Sequence, residues 1–152
     1  MIRGMFIRGD ENLEIPFLIR DKVFCEAQGM SKEYEFDKLD QESLHVLVFD
    51  GENPVATGRL YQKNDYFKIG RIAVLSEHRG KQFGDFVVRM LVDKAFTLGA
   101  KEVWVGAQVR VIKFYESIGF IKEGNEYIEE GILHVNMKII KGGLCKGCCS
   151  TH

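Results

Sequence analysis

Apolar positions recur with two periods along this chain. Spacings of three and four residues predict helices, and alternating or β-branched runs predict strands. Ile2 and Phe6 mark a strand over Met1 to Arg8, and Gly9-Asp10-Glu11-Asn12 forms a turn rich in N-cap residues. Ile15, Leu18, Ile19 and Val23 fall at helical spacing, so a helix runs to about Ala27, with Pro16 in its first turn and Gly29 as its C′ residue. Leu44–Phe49, Val55–Gln62 and Tyr66–Leu75 read as strands of a meander. Asp50-Gly51-Glu52-Asn53 and Lys63-Asn64-Asp65 are its turns. Phe83, Phe86, Val87, Met90, Leu91, Ala95 and Leu98 make one helical stripe over residues 80–98, closed by Gly99. A short strand at 102–107, a helix from Val109 to Ser117, and a hairpin of Phe120–Glu129 with Leu133–Ile139 complete the pattern. The order β-α-β-β-β-α-β-α-β-β is α+β with a mixed sheet. Strands 66–75 and 102–107 are expected to lie parallel across a right-handed crossover.

Composition narrows the class. The 152 residues carry 28% charged side chains and a net charge of −1, so no global field points to nucleic acid or an anionic membrane. No apolar run is long enough to span a bilayer, and Arg3, Arg8 and Asp10 break up any signal-peptide pattern, so the cytoplasm is the expected compartment. Of the four cysteines, Cys25 stands alone and Cys145, Cys148 and Cys149 crowd the end, which is not a disulfide framework. One domain over residues 1–140 with a Cys-containing tail at 141–152 is the expected organisation. Cys145, Cys148, Cys149 and His152 are four soft ligands at a spacing that matches no paired zinc knuckle, so the tail reads as a loose end or a redox-sensitive thiol segment and no metal site is assigned.

Two stretches carry candidate chemistry. Residues 71–84 run from an apolar strand through a polar, glycine-containing turn into the longest helix. That geometry offers unpaired backbone N–H groups and a positive helix end to an anion. Arg79 and Lys81 add charge there, either as phosphate contacts or simply as solvated side chains. Residues 31–43 hold Glu33, Glu35, Asp37, Asp40 and Glu42, and read either as a solvated loop or as the lining of a site for a cationic substrate.

Arg71–Gly84 resembles the acetyl-CoA-binding motif of the GNAT superfamily of N-acetyltransferases, Arg/Gln-x-x-Gly-x-Gly/Ala. Arg79, Phe83 and Gly84 fit it, and Gln82 stands where the motif has its middle glycine. Phe114-Tyr115-Glu116-Ser117-Ile118-Gly119-Phe120 is similar to the family's Phe-Tyr-x-x-x-Gly-Phe. Over residues 15–140 the chain also resembles the ElaA-like subgroup, through Arg20–Gly29, Glu35–Asp40, His45, Ala107-Gln108-Val109 and Glu130–His134, with Leu133 where the subgroup often has proline. The resemblance implies a mostly antiparallel sheet with a central splayed parallel pair, flanked by helices. It implies acetyl-CoA as co-substrate without a required metal, a small-molecule or peptide amine as acceptor, and pairing of subunits through their sheets as in many relatives.

By the same resemblance, backbone N–H groups of Arg79, Gly80, Lys81, Gln82, Phe83 and Gly84 would wrap the pyrophosphate. Phe114 would contact the cofactor. Backbone groups of Ile72, Ala73 and Val74 would pair with the pantetheine, with the Val74 N–H on the thioester carbonyl. If the turn needs positive φ at Gln82, about 1 kcal/mol or more of strain is stored there. Tyr115 would protonate the departing thiolate; apart from the motif it reads as a packed helix aromatic. The base is open among Glu26, Glu35, His45, Glu129, His134 and a relayed water. Two other readings share the scaffold, an acyl-homoserine-lactone-synthase-like acyltransferase and a non-catalytic acyl-CoA-binding module.

Overall fold

The computed structural model describes residues 1–145, apart from the side chains of Glu33 and Tyr34; Cys148, Cys149 and His152 lie outside the described residues. The elements in order are β1 (Ile2–Arg8), α1 (Glu14–Arg20), α2 (Lys32–Glu35), β2 (Ser43–Asp50), β3 (Asn53–Lys63), β4 (Tyr66–Val74), α3 (Phe83–Thr97), β5 (Glu102–Gln108), α4 (Ile112–Ile118), β6 (Ile121–Glu129) and β7 (Ile132–Ile140). One seven-stranded sheet has the order β1-β2-β3-β4-β5-β7-β6. Every neighbouring pair is antiparallel except β4 and β5, as the crossover through α3 requires.

The hairpins close where the turn residues stand. Gly51 has φ +63, Asn64 φ +56, and the Glu130-Gly131 pair φ +51 and +73, the left-handed conformations that tight hairpins demand. Val46, Val48, Leu60, Ile69, Val103, Val105, Val135 and Met137 form the main core with Val87, Val88, Leu91 and Val92 of α3. α3 comes so close to β3 that a Cβ on Gly58 would stand 2.7 Å from Val87 and 2.9 Å from Leu91. A smaller core on the other face joins Ile19, Val23 and Phe24 to Leu47 and Ala73.

Several details differ from expectation. The helical segment after α1 winds as a π-helix over Asp21–Glu26, within the expected single helix. The buried stripe of α3 takes in Val88 and Val92, and Leu98, at the C-cap, is exposed. The helix expected from Val109 begins as a 3-10 turn over Val109–Val111 before α4. The tail is fastened as far as Cys145, whose N–H donates to the Ile118 carbonyl at 2.8 Å and whose carbonyl accepts from Arg89.

Candidate active site

β4 and β5 pair only at Lys68 with Trp104 and at Ile69 with Val105, and then part. The cause lies in β4. Arg71 adopts φ +52, and the β3–β4 register slips between Thr57 and Arg59, so the strand bulges just after its last pair with β5, while β5 itself runs on to Gln108. The parting opens a cleft of about 960 Å³. Beyond the bulge β4 keeps its bonds to β3, with the Leu75 N–H donating to Val55 at 2.9 Å. Strand alternation therefore turns the N–H and carbonyl groups of Ile72 and Val74 toward the open edge. The Arg79 Nε, which donates to the Val74 carbonyl at 3.4 Å from within the cleft, marks that direction.

At the end of the cleft lies the turn into α3. Gly80 has φ +79 and Gln82, the N-cap residue, φ +68. Gln82 thus takes the left-handed conformation a glycine would take freely, at a cost of about 1 kcal/mol or more. No side chain caps α3 there, so the first-turn N–H groups keep no side-chain acceptor at the positive end of a 15-residue helix. Ile72, Val74, Arg79, Gly80, Gln82 and Phe83 line the cleft, as do Gly84 and Phe114. The Phe114 ring lies 3.5 Å from where a Gly84 Cβ would be. Ala73 turns its side chain into the smaller core and Lys81 points to solvent, so neither side chain lines the cleft.

Tyr115 lines the cleft although it is 6% exposed, its ring set edge-on to Phe114 at 5.0 Å and Phe120 at 5.4 Å. It is packed and cleft-facing at once. Burial drives its phenol well above the usual range, so the group stays protonated at neutral pH. His134 lines the cleft on β7, stacked on Tyr127 at 5.7 Å. Its Nδ1 lies 2.7 Å from the Ile132 carbonyl. A carbonyl only accepts, so Nδ1 carries the hydrogen, and in the neutral ring the acceptor nitrogen is Nε2. Glu129 is also at the cleft. The Tyr127 hydroxyl donates to Asn136 at 2.9 Å and crosses Gly106, where a Cβ would stand 2.8 Å from it.

Glu26 is corrected: it is exposed and does not line the cleft. His45 is a satisfied core residue, 1% exposed, its Nε2–H donating to the Asp40 carbonyl at 2.9 Å.

Within the acidic stretch 31–43, Glu35, Asp37 and Asp40 are neither solvated nor a free anionic wall, while Glu42 is exposed. Arg20, 1% exposed, donates from Nε to Glu35 and from Nη1 to Asp40, both at 2.7 Å, and its guanidinium lies 5.1 Å from the Phe17 ring and 5.0 Å from the Phe36 ring. Arg59 donates to Asp37 at 2.7 Å and Asp40 at 2.9 Å, while Arg71 reaches Asp37 at 3.2 Å and Glu35 at 3.4 Å. Three guanidinium groups balance three carboxylates. Burial pushes the Glu35 carboxyl up against the pull of Arg20 and Arg71. Burial also acts to raise Asp37, but hydrogen bonding and charge from Arg59, with Arg71, hold it below the usual carboxylate range.

Among the described residues no group of three or more His, Cys, Asp and Glu is placed to hold a metal, Cys25 and Cys145 are free, and no helix is long and apolar enough to cross a membrane.

The sequence and the fold both have known relatives. The family model for the acetyltransferase (GNAT) domain matches residues 19–141. YjcF of Bacillus subtilis, named an uncharacterized N-acetyltransferase, is 34% identical over 137 residues, covering 90% of this chain and 98% of that protein. ElaA of Escherichia coli is 29% identical over 124 residues, 78% of this chain and 81% of its own. The ElaA crystal structure superposes with a TM-score of 0.81 at 26% identity, over 91% of this chain and 99% of that one. A GNAT acetyltransferase from Elizabethkingia anophelis, solved with acetyl-CoA bound, shares the fold with a TM-score of 0.73 at 15% identity, over 91% and 97% of the two chains. The splayed β4–β5 pair, the uncapped α3 turn and these matches agree: the chain belongs to the GNAT family of acetyltransferases.

Proposed function

We propose that this protein is an acetyl-CoA-dependent N-acetyltransferase in which a primary amine attacks the thioester directly within a ternary complex. One observation carries the reading. The open edge of β4, the uncapped start of α3, Tyr115 and His134 all face a single cleft. The likeness to a relative solved with acetyl-CoA supports the choice of co-substrate.

The main-chain N–H groups of the 79–84 turn hold the pyrophosphate, and the α3 dipole adds to them. In place of a β5 strand, the open edges of Ile72 and Val74 pair with the pantetheine amides. One of these two N–H groups, Val74 by the sequence motif, takes the thioester carbonyl and stabilises the oxyanion as the amine adds. His134 Nε2 takes the proton the amine loses. As the C–N bond forms and the C–S bond breaks, the thiolate receives the Tyr115 proton, giving free thiol and amide. Glu129 stands as a second acceptor-side group at the same rim. The Arg79 side chain leaves the Val74 carbonyl when the cofactor enters.

The test pairs binding with turnover. Acetyl-CoA is expected to raise the melting temperature, since it binds only the folded chain. Thiol release in the presence of an amine panel then reads the transfer. Binding with no amine-dependent thiol release would favour a non-catalytic module, and absence of binding would defeat the reading altogether.

A further inference from the structure

Glu35, Asp37 and Asp40 are bound to Arg20, Arg59 and Arg71, so these three carboxylates present no unmatched negative charge to a cationic acceptor. The remaining cleft carboxylates lie elsewhere. Asp85 takes Arg89 at 2.9 Å, and Glu129 stands on β6 at the exposed rim.

Lys68 stands in a different situation. It lines the cleft from β4, facing Tyr61 across the β3 pairing and Trp104 across the β5 pairing. Strand alternation sets it on the same sheet face as Gly106, Gln108 and His134, opposite the face on which Val103, Val105, Val135 and Met137 join the α3 core. Among the described residues it has no carboxylate within ion-pair distance, whereas nearby Lys138 reaches Glu123 at 3.9 Å. Lys68 is solvent-exposed as a whole, yet the cleft walls beside it, with Arg59 and Arg71, push its ammonium below the usual lysine value against the pull of Asp37, a penalty that an anion alongside would relieve. Lys68 lies four residues before Ile72, but the bulge at Arg71 absorbs one, which leaves roughly 10 Å along a strand rising about 3.3 Å per residue. An anion held by Lys68 therefore belongs to the end of the acceptor remote from the reacting amine.

We propose that the acceptor is an amine carrying an anionic group several bonds from its nitrogen, held by Lys68 on the face of β4 and β5 opposite α3. This deepens the acetyltransferase reading and rests on it. Lys68 is a specificity-determining residue, and the chemistry at the thioester is unchanged.

The experiment compares chain-matched amines with acetyl-CoA. ω-Amino carboxylates and ω-amino phosphonates supply two kinds of anion, amino alcohols are the neutral reference, and diamines are the cationic one. We expect kcat/KM for one anionic series to exceed the amino alcohols by at least about tenfold. In Lys68→Met that ratio should fall toward one, and Lys68→Arg should recover most of it. Which anionic series leads identifies the group. A preference for diamines, or an anion preference unchanged in Lys68→Met, overturns the inference while leaving the transferase intact. If no amine turns over, the thermal shift of the CoA-bound protein decides. A shift with the amino carboxylate or phosphonate that Lys68→Met abolishes supports the inference, and its absence overturns it. Failure of acetyl-CoA itself to bind brings down both readings.

Discussion

Replacing Arg20 by Met removes the hub of the buried charge network. The guanidinium is 1% exposed and donates to Glu35 at 2.7 Å, to the Glu35 carbonyl at 2.5 Å, and to Asp40 at 2.7 and 3.3 Å. Met fills much of the volume between Phe17 and Phe36, so the loss is electrostatic rather than a cavity. Removing one partner of a buried ion pair costs about 3–5 kcal/mol, because the other charge stays behind unpaired. Here Arg59 still holds Asp40 at 2.9 Å and Arg71 still stands 3.4 Å from Glu35, which places the loss near the lower end, about 3 kcal/mol. For a domain of this size that corresponds to a melting temperature lowered by roughly 6–12 °C. Urea denaturation of Arg20→Met, Glu35→Gln and the double variant would measure it. The Glu35→Gln change should cost far less in the Arg20→Met background, with a coupling of about 1.5–3 kcal/mol. A loss below about 1 kcal/mol, with additive changes, would mean that these carboxylates are solvated and free to meet a cationic substrate.

Tyr115→Phe keeps the ring packing against Phe114 and Phe120 and removes only the proton source; kcat should fall by about 10²–10⁴ with acetyl-CoA binding retained, and an unchanged kcat would remove Tyr115 from the chemistry. Gly106→Ala would put a Cβ 2.8 Å from the Tyr127 hydroxyl and push that ring, with the stacked His134, out of place. The KM for the amine should rise about tenfold or more while the acetyl-CoA thermal shift persists, and an unaltered amine KM would detach this face from the acceptor. Burial, with Arg20 and Arg59, holds the His45 imidazole below its ordinary value of about 6.5, although Asp40 opposes them. The unfolded chain therefore takes up a proton below about pH 6.5 that the folded chain refuses. The stability present above that pH declines toward the folded value, by at most about 1.4 kcal/mol per pH unit. Melting temperatures from pH 7.5 to 5.5 should drop less steeply for His45→Gln than for the parent, and equal slopes would contradict the assignment.

The parts of the fold that local pattern governs were legible in the sequence. Hairpin turns at Gly51, Asn64 and Gly131 and the apolar stripe of α3 follow from nearest neighbours along the chain, and so does the strand–turn–helix at residues 71–84. The charge network was not legible, because its partners come from α1, α2, the segment between α2 and β2, β3 and β4. Nothing in the spacing of Glu35, Asp37 and Asp40 announces Arg20, Arg59 and Arg71 as counter-ions. Burial is a tertiary property, so the same acidic run looked equally fit for solvent or for a cationic ligand. Glu26 is exposed and away from the cleft, and it lies in a π-helical turn whose winding helical periodicity does not foretell. His134 was legible only as a residue type near the last turn. Its free nitrogen follows from the Ile132 carbonyl, and its orientation from the stack with Tyr127. The bulge at Arg71 left no sequence signal that we can identify beyond the neighbouring Gly70.

A backbone-resolved NMR titration with acetyl-CoA tests most directly whether a diphosphate and its pantetheine arm occupy the cleft where β4 leaves β5. The amide resonances of Gly80 to Gly84, together with those of Ile72 and Val74, should show the largest changes and saturate with a single affinity. Saturable changes confined to other surfaces, with these amides unmoved, would contradict the account.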